Sequence, residues 1–336
     1  MYEAFYRLRA KPFSLNPDPS FFFGSKGHKR AMSYLEYGLH QGEGFIVITG
    51  EVGAGKTTLV RNLFRNRLDG GELVAAQLVS TQLDAEDTLR MVAASFGVLH
   101  EDASKAILLK RLEAFLGGCR EQGKRALLVV DEAQNLTPRA VEELRMLSNY
   151  QIADQSLLQT FLLGQPEFRA TMQSPGMSQL RQRVIASYHL GPLDESDTRG
   201  YIQHRLQTVG WDGDPAYGDD AFQEIYAFSD GIPRKINTLC DRLMLMGYIE
   251  QKHKFSAADI KEVITDIKRE MVTPEMVARG DSARAITGLA SVQSEVQIAR
   301  LTERVSDLER SVTTVLGLLR EVLSLASVRR IRNGDN

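Results

Sequence analysis

The sequence predicts an α/β fold in which a parallel sheet is covered by helices on both faces, followed by an all-helical domain and a C-terminal coiled-coil helix. Three observations carry this expectation. Between residues 45 and 190, short apolar runs alternate with longer amphipathic segments. From residue 193 to about 270 the pattern is helical, with no buried strand expected. Beyond residue 286, apolar residues recur at alternating steps of three and four.

The strands of the first region are expected at Phe45 to Thr49, Leu73 to Val79, Ala126 to Val130, Leu158 to Leu163 and Ile185 to Leu190. Their near-continuous apolar character is that of strands buried on both faces. Among the intervening helices the clearest is "NLTPRAVEELRMLSN", where Thr137 suits the N-cap, Pro138 the first helical position, and Val141, Leu144 and Leu147 or Ser148 share one face. In the helical region, "SAADIKEVITDIKRE" opens with Ser256 and Asp259 as a capping pair and places Ile260, Val263, Ile264 and Ile267 together. The expected divisions are a nucleotide-binding domain with its N-terminal extension at 1–192, a helical lid at 193–270, a linker at 271–285, a coiled-coil helix at 286–328 and a basic tail at 329–336. The seam of the coiled coil runs Ile298, Leu301, Val305, Leu308, Val312, Val315, Leu319, Val322 and Ala326, and its alternative is a single amphipathic helix docked on the protein's own surface.

The chemistry begins at "GFIVITGEVGAGKTTL". A phosphate loop must turn several backbone N–H groups toward one anion and then open a helix whose positive end faces it, which requires glycine where a side chain would clash. Gly50, Gly53 and Gly55 meet that need, and Glu51, Val52, Ala54 and Thr58 complete the loop. Lys56 would reach the β- and γ-phosphates of ATP, and the Thr57 hydroxyl would ligate Mg2+. The strand "RALLVVDEAQNL" ends in Asp131 and Glu132 at the carboxyl edge of the sheet, where open α/β sheets bind ligands. Asp131 suits the metal, while Glu132 can orient and deprotonate water for attack on the γ-phosphate, which favours hydrolysis over phosphoryl transfer to another substrate.

Further candidates lie downstream. Gln165 emerges from another buried strand and would position the attacking water. Arg181 or Arg183, just before the last strand, suits an arginine finger offered to a neighbouring subunit; the plain alternative is a solvated or salt-bridged face. Arg234 opens a helix after a Gly-Ile-Pro turn and would swing onto nucleotide as the domains close, or else serve as a surface cap.

These blocks, with "KPFSLNPDP", "EELRMLSN", "LGQPEF", "QLRQRV" and "GIPRKINTLCDR", resemble the AAA+ ATPases and, within them, the general secretion pathway protein A family, nearest the subfamily of exosortase (PEP-CTERM) loci. The resemblance covers residue 1 to about 270. It implies an αβα P-loop sandwich with Lys56 and Thr57 in Walker A, Asp131 and Glu132 in Walker B, Gln165 as sensor 1 and Arg234 as sensor 2. It also implies that "NPDPSFFF" lies near the adenine, with Pro17 and Phe21 as candidates, although a Phe triplet also suits plain core. Secretion-type relatives continue through a transmembrane helix into a peptidoglycan-binding domain; here a heptad segment and "SVRRIRNGDN" follow, so cell-wall binding is not expected.

Composition narrows the partners. The chain of 336 residues carries a net charge of -2 with 25% charged residues, an ordinary soluble balance that disfavours nucleic acid. Cys119 and Cys240 lie far apart with no metal-ligand spacing, and no run of about 18 uncharged apolar residues occurs. A cytoplasmic place, or a peripheral one at the inner membrane, follows. The leading expectation is a homo-oligomer that hydrolyses ATP to energise or assemble envelope secretion or polysaccharide export, reaching partners through the coiled coil. The rivals are a DNA-binding ATPase resembling transposition target-selection proteins, and a switch whose output is its nucleotide state.

Overall fold

The computed structural model describes residues 1–67, 71–79, 84–153 and 155–271. The chain divides into a body Met1–Arg269 and a second unit Glu270–Asn336. The linker from residue 272, the heptad segment and the basic tail lie outside the described residues.

Strands β1 (Phe45–Gly50), β2 (Leu73–Val79), β3 (Arg125–Asp131), β4 (Leu158–Gly164) and β5 (Val184–Leu190) form one parallel five-stranded sheet in the order β2-β3-β4-β1-β5. Every residue of β1 and β4 is buried, which is why both read as continuous apolar runs rather than alternating ones. The pleat divides them between two cores. Phe45, Val47, Leu128, Val130 and Leu162 face one side, and Ile46, Ile48, Leu127, Val129, Phe161 and Leu163 the other.

Helix α1 (Lys26–Gln41) and α2 (Lys56–Arg67) cover the second side; α3 (Ala85–Ser95), α4 (Lys105–Glu121) and α5 (Pro138–Leu147) cover the first. Thr137 caps α5 as its position suggests, accepting from the Ala140 N–H at 3.1 Å. Helix α6 (Pro166–Gln173) follows β4 directly.

The longer helices after β5 are α7 (Glu195–Thr208), α8 (Asp219–Ser229), α9 (Pro233–Ile249) and α10 (Ala257–Met271) among the described residues. Before α10, Asp259 accepts from the Ser256 N–H at 2.8 Å and hydroxyl at 2.7 Å, the reciprocal cap expected there. Two features differ from the sequence-based expectation. A two-residue parallel ladder, Ala216–Tyr217 with Lys254–Phe255, enters this region with Phe255 fully buried. It is too short for a period of two to register. The start of the N-terminal extension, grouped by the sequence with the nucleotide-binding domain, packs its apolar side chains elsewhere. Tyr2, Tyr6, Leu8 and Phe13 join Leu239, Cys240, Leu243 and Phe255 in the core of the helical region. A close crossing at Gly247 allows it, since a Cβ there would stand 2.3 Å from the Tyr6 hydroxyl.

Both cysteines are buried free thiols. Among the described residues no helix is long and apolar enough to cross a membrane, and no cluster of His, Cys, Asp and Glu could hold a metal ion by itself.

Candidate active site

Strand β1 ends at Gly50 and α2 starts at Lys56, so the loop between them sits at the carboxyl edge of the sheet. Gly53 has φ +83° and Gly55 φ +97°, backbone states open to glycine without strain. Lys56 is 7% exposed, and its ammonium turns back into the loop and donates to Gly50 O at 2.7 Å and Glu51 O at 3.0 Å. Burial pushes its pKa down, against the opposing pull of Glu132 and Asp131.

Asp131 and Glu132 arrive at the same edge on β3. The Thr57 hydroxyl donates to Asp131 Oδ2 at 2.7 Å, so two hard oxygen donors already stand side by side. Glu132 lies in the left-handed region at φ 54°, ψ 41°, a conformation of order 1–3 kcal/mol above the regular wells for a non-glycine residue. That twist carries its carboxylate away from Asp131 toward β4. There Oε2 accepts from Gln165 Nε2 at 3.1 Å and from Gln134 Nε2 at 2.5 Å.

The ring closes through the backbone: the Gln165 N–H donates to Gln134 Oε1 at 3.0 Å. A backbone N–H can only donate, so the Gln134 oxygen must face it and the amide NH2 must face Glu132. Burial raises the Glu132 pKa, but the two glutamine amides and the Lys56 charge outweigh it and hold the carboxyl below its ordinary value. Glu132 is therefore a pre-oriented anion at neutral pH.

From the helical region, α9 reaches the loop itself. The Arg234 N–H donates to Gly53 O at 3.2 Å, and a Cβ on Gly53 would stand 2.2 Å from the Cβ of Arg234. A cavity of about 430 Å³ opens here, and Lys56, Thr57, Glu132, Arg234, Pro17 and Phe21 are all among the residues that line it. The structure thus brings Pro17 and Phe21 to the same cavity as the loop. It does not bring Arg181 or Arg183 there. Arg181 donates to Met172 O at 2.6 Å and Ser174 O at 2.8 Å, and Arg183 to Ser148 O at 3.4 Å, all carbonyls of this chain.

Sequence reasoning passed over Gln134 and His28. Gln134 stood in view in "DEAQ", but its partner Gln165 is 31 residues away. His28 near the start of α1 supports the loop from beneath: Nε2 lies 3.1 Å from Ala54 O and Nδ1 2.7 Å from the Ser25 hydroxyl. A carbonyl only accepts, so Nε2 carries the proton and Nδ1 accepts from Ser25. Burial lowers the His28 pKa, the Ala54 carbonyl and Asp197 opposing. The unfolded chain then takes up the proton more readily, so stability is complete above about pH 6.5 and falls as pH drops below it. His28→Gln is expected to make the decline in thermal midpoint between about pH 6.5 and about pH 5 shallower; His204, also lowered by burial, contributes to the same decline in both chains. A midpoint that falls with acid as steeply in the variant as in the parent would refute this role.

A phosphate-type loop, an acidic strand end and a glutamine on the next strand, carried on a parallel sheet with a helical region touching the loop, define a P-loop fold of the AAA class. Residues 39–172 match the family model described as an AAA domain. Over 261 residues, 77% of this chain, the sequence is 37% identical to general secretion pathway protein A of Aeromonas hydrophila. The match covers 47% of that relative, so the chain spans about half the length of the curated relative it matches. Among solved structures, Cdc6p of Pyrobaculum aerophilum superposes with TM-score 0.61 at 16% identity, covering 81% of this chain and 74% of that one. The ORC2 protein of Aeropyrum pernix in its ADPNP-ADP complexes superposes with TM-score 0.58 at 16% identity, covering 78% and 74%. At that identity the likeness is one of fold.

Proposed function

We propose that this chain binds ATP with Mg2+ and hydrolyses it in a homo-oligomer to energise or assemble an envelope secretion or polysaccharide-export apparatus of the exosortase-locus type. The observation that carries the hydrolytic part is the Glu132–Gln134–Gln165 ring beside the Thr57–Asp131 pair. The likeness to general secretion pathway protein A supports the envelope setting.

In this reading residues 1–192 form the nucleotide-binding domain and 193–270 the lid, while the linker 271–285, the coiled-coil helix 286–328 and the basic tail reach partners. The peptide N–H groups of Gly50, Glu51, Val52, Gly53, Ala54, Gly55 and Thr58 cradle the phosphates. Lys56 exchanges its two carbonyl partners for phosphate oxygens. Thr57 and Asp131 fit Mg2+ because both offer hard oxygens at one point; when bound, the ion supplies positive charge against the phosphates. Glu132, held as an anion, orients water, and Gln165 fixes the angle of that carboxylate as sensor 1. Arg234 senses the nucleotide from the lid. Arg181 or Arg183 serves as finger to a neighbouring subunit, releasing carbonyls of its own chain to do so.

The test is a deletion strain assayed for secreted protein and surface polysaccharide. Wild-type chain should restore export and Glu132→Gln should not; export undisturbed by the deletion would sink the envelope reading. Turnover strongly stimulated by duplex DNA and lost steeply with salt would favour the DNA-binding alternative instead. Mixing an Arg181→Ala or Arg183→Ala subunit with Lys56→Ala should restore turnover for whichever arginine is the finger, and no rescue by either would argue against shared sites.

A further inference from the structure

Residues 12–18 run between the two halves of the body as a strap whose carbonyls are gripped from both sides. From α2, directly after the phosphate loop, Arg61 Nη1 donates to Pro17 O at 2.8 Å. From α7, Arg205 donates through Nε to Pro12 O and through Nη2 to Ser14 O at 3.0 Å. Past the strap, the Phe21 ring lies under the Arg205 guanidinium, 4.6 Å from Cζ to centroid. The same guanidinium donates to the Tyr201 hydroxyl at 3.0 Å, which donates in turn to Asn237 Oδ1 of α9 at 2.9 Å.

Arg205 is only 6% exposed; among the described residues no carboxylate is in direct ion-pair contact with it, and its charge acts only at longer range on Asp18, helping the Ser20 hydrogen bonds hold that carboxyl below its ordinary value. A buried cation without a counter-ion is costly unless its donors and its faces are otherwise occupied. Here two peptide carbonyls, a phenol and an aromatic face do so. A guanidinium can satisfy all of them at once because its donors are fixed in a plane; an ammonium cannot. Pro17, Phe21, Tyr201, Asn237 and Arg205 itself all border the cavity that the phosphate loop also lines.

We propose that Arg205 is a positioning residue for nucleotide binding. It holds the strap and Phe21 as a preformed wall of the cavity, and so sets how tightly nucleotide is bound while leaving the hydrolytic step to Lys56 and Glu132. The assignment rests on the nucleotide reading above. The wall is paid for by contacts within the protein, so nucleotide meets a surface already ordered and loses less freedom of the chain on binding.

The experiment measures ATP binding by calorimetry, together with KM and kcat, on the full chain. Arg205→Gln should weaken ATP binding and raise KM about tenfold, with kcat at saturation within about twofold of the parent. Arg205→Lys should recover only part of the affinity, since it keeps the charge over Phe21 but cannot bridge both carbonyls. Phe21→Leu reports from the other side of the contact should Arg205→Gln fail to fold, and is expected to fold, with a somewhat lower thermal midpoint, and to raise KM a few-fold. Variants that fold and bind ATP like the parent, or that lose kcat at unchanged KM, would overturn the assignment. The Lys56→Ala chain separates the two failures: if the parent binds ATP no better than Lys56→Ala, the nucleotide reading itself falls and this assignment with it.

Discussion

Glu132→Gln is expected to bind ATP with nearly the parent's affinity while losing about 10²–10⁴-fold in turnover. The argument is one of shape against charge. Glutamine is isosteric with glutamate, and its amide oxygen can still accept from Gln134 and Gln165 where Oε2 now does. The left-handed backbone at residue 132 is unchanged by the exchange, and Thr57 and Asp131 are untouched. What disappears is the negative charge proposed to orient water, which the two glutamine amides and Lys56 currently keep ionised. Calorimetric binding with a phosphate-release assay separates the two quantities. Turnover within tenfold of the parent would mean that Glu132 is not the group that activates water.

The second large effect is expected at the point where the helical region meets the loop. Gly53→Ala should fold but bind ATP at least about tenfold more weakly, for two additive reasons. Alanine at φ +83° costs of order 1 kcal/mol in backbone strain. Its methyl group would also stand 2.2 Å from the Arg234 Cβ, an atom fixed to the backbone of α9 that no rotamer change can move. The loop and α9 must separate, breaking the Arg234 N–H to Gly53 O bond. Arg234→Ala keeps a Cβ and should not relieve the clash, whereas Arg234→Gly should partly rescue binding in the Gly53→Ala background. Additive effects of Gly53→Ala and Arg234→Gly would show that the contact is absent in solution.

The parts legible in sequence were those whose cause is local. Strands buried on both faces must be apolar at every position, so the run from Phe45 to Thr49 declared itself and only Gly50 was added by the structure. The loop, Thr57 and Asp131 were legible because phosphate chemistry dictates glycine spacing and a strand end. Arg205 was not, because what makes it special is its environment: its carbonyl partner Pro12 lies 193 residues earlier in the chain. The same holds for His28 and Ala54, 26 residues apart, and for the aromatic residues Tyr2 and Tyr6, whose helical-region partners have no periodic signal near them. A period reports which side of an element is buried; it does not report what buries it.

The single backbone hydrogen bond from the Arg234 N–H to Gly53 O also bears on how work could leave the molecule. With the loop and α9 joined by backbone, if the loop holds phosphate as proposed, a pull on the helical region would alter phosphate affinity, and by thermodynamic reciprocity bound phosphate would resist that pull by an equal free energy. A partner seated on α7 to α10 would therefore set the rate at which spent nucleotide departs without ever approaching the cavity. Mechanical load and product affinity would be two readings of one displacement.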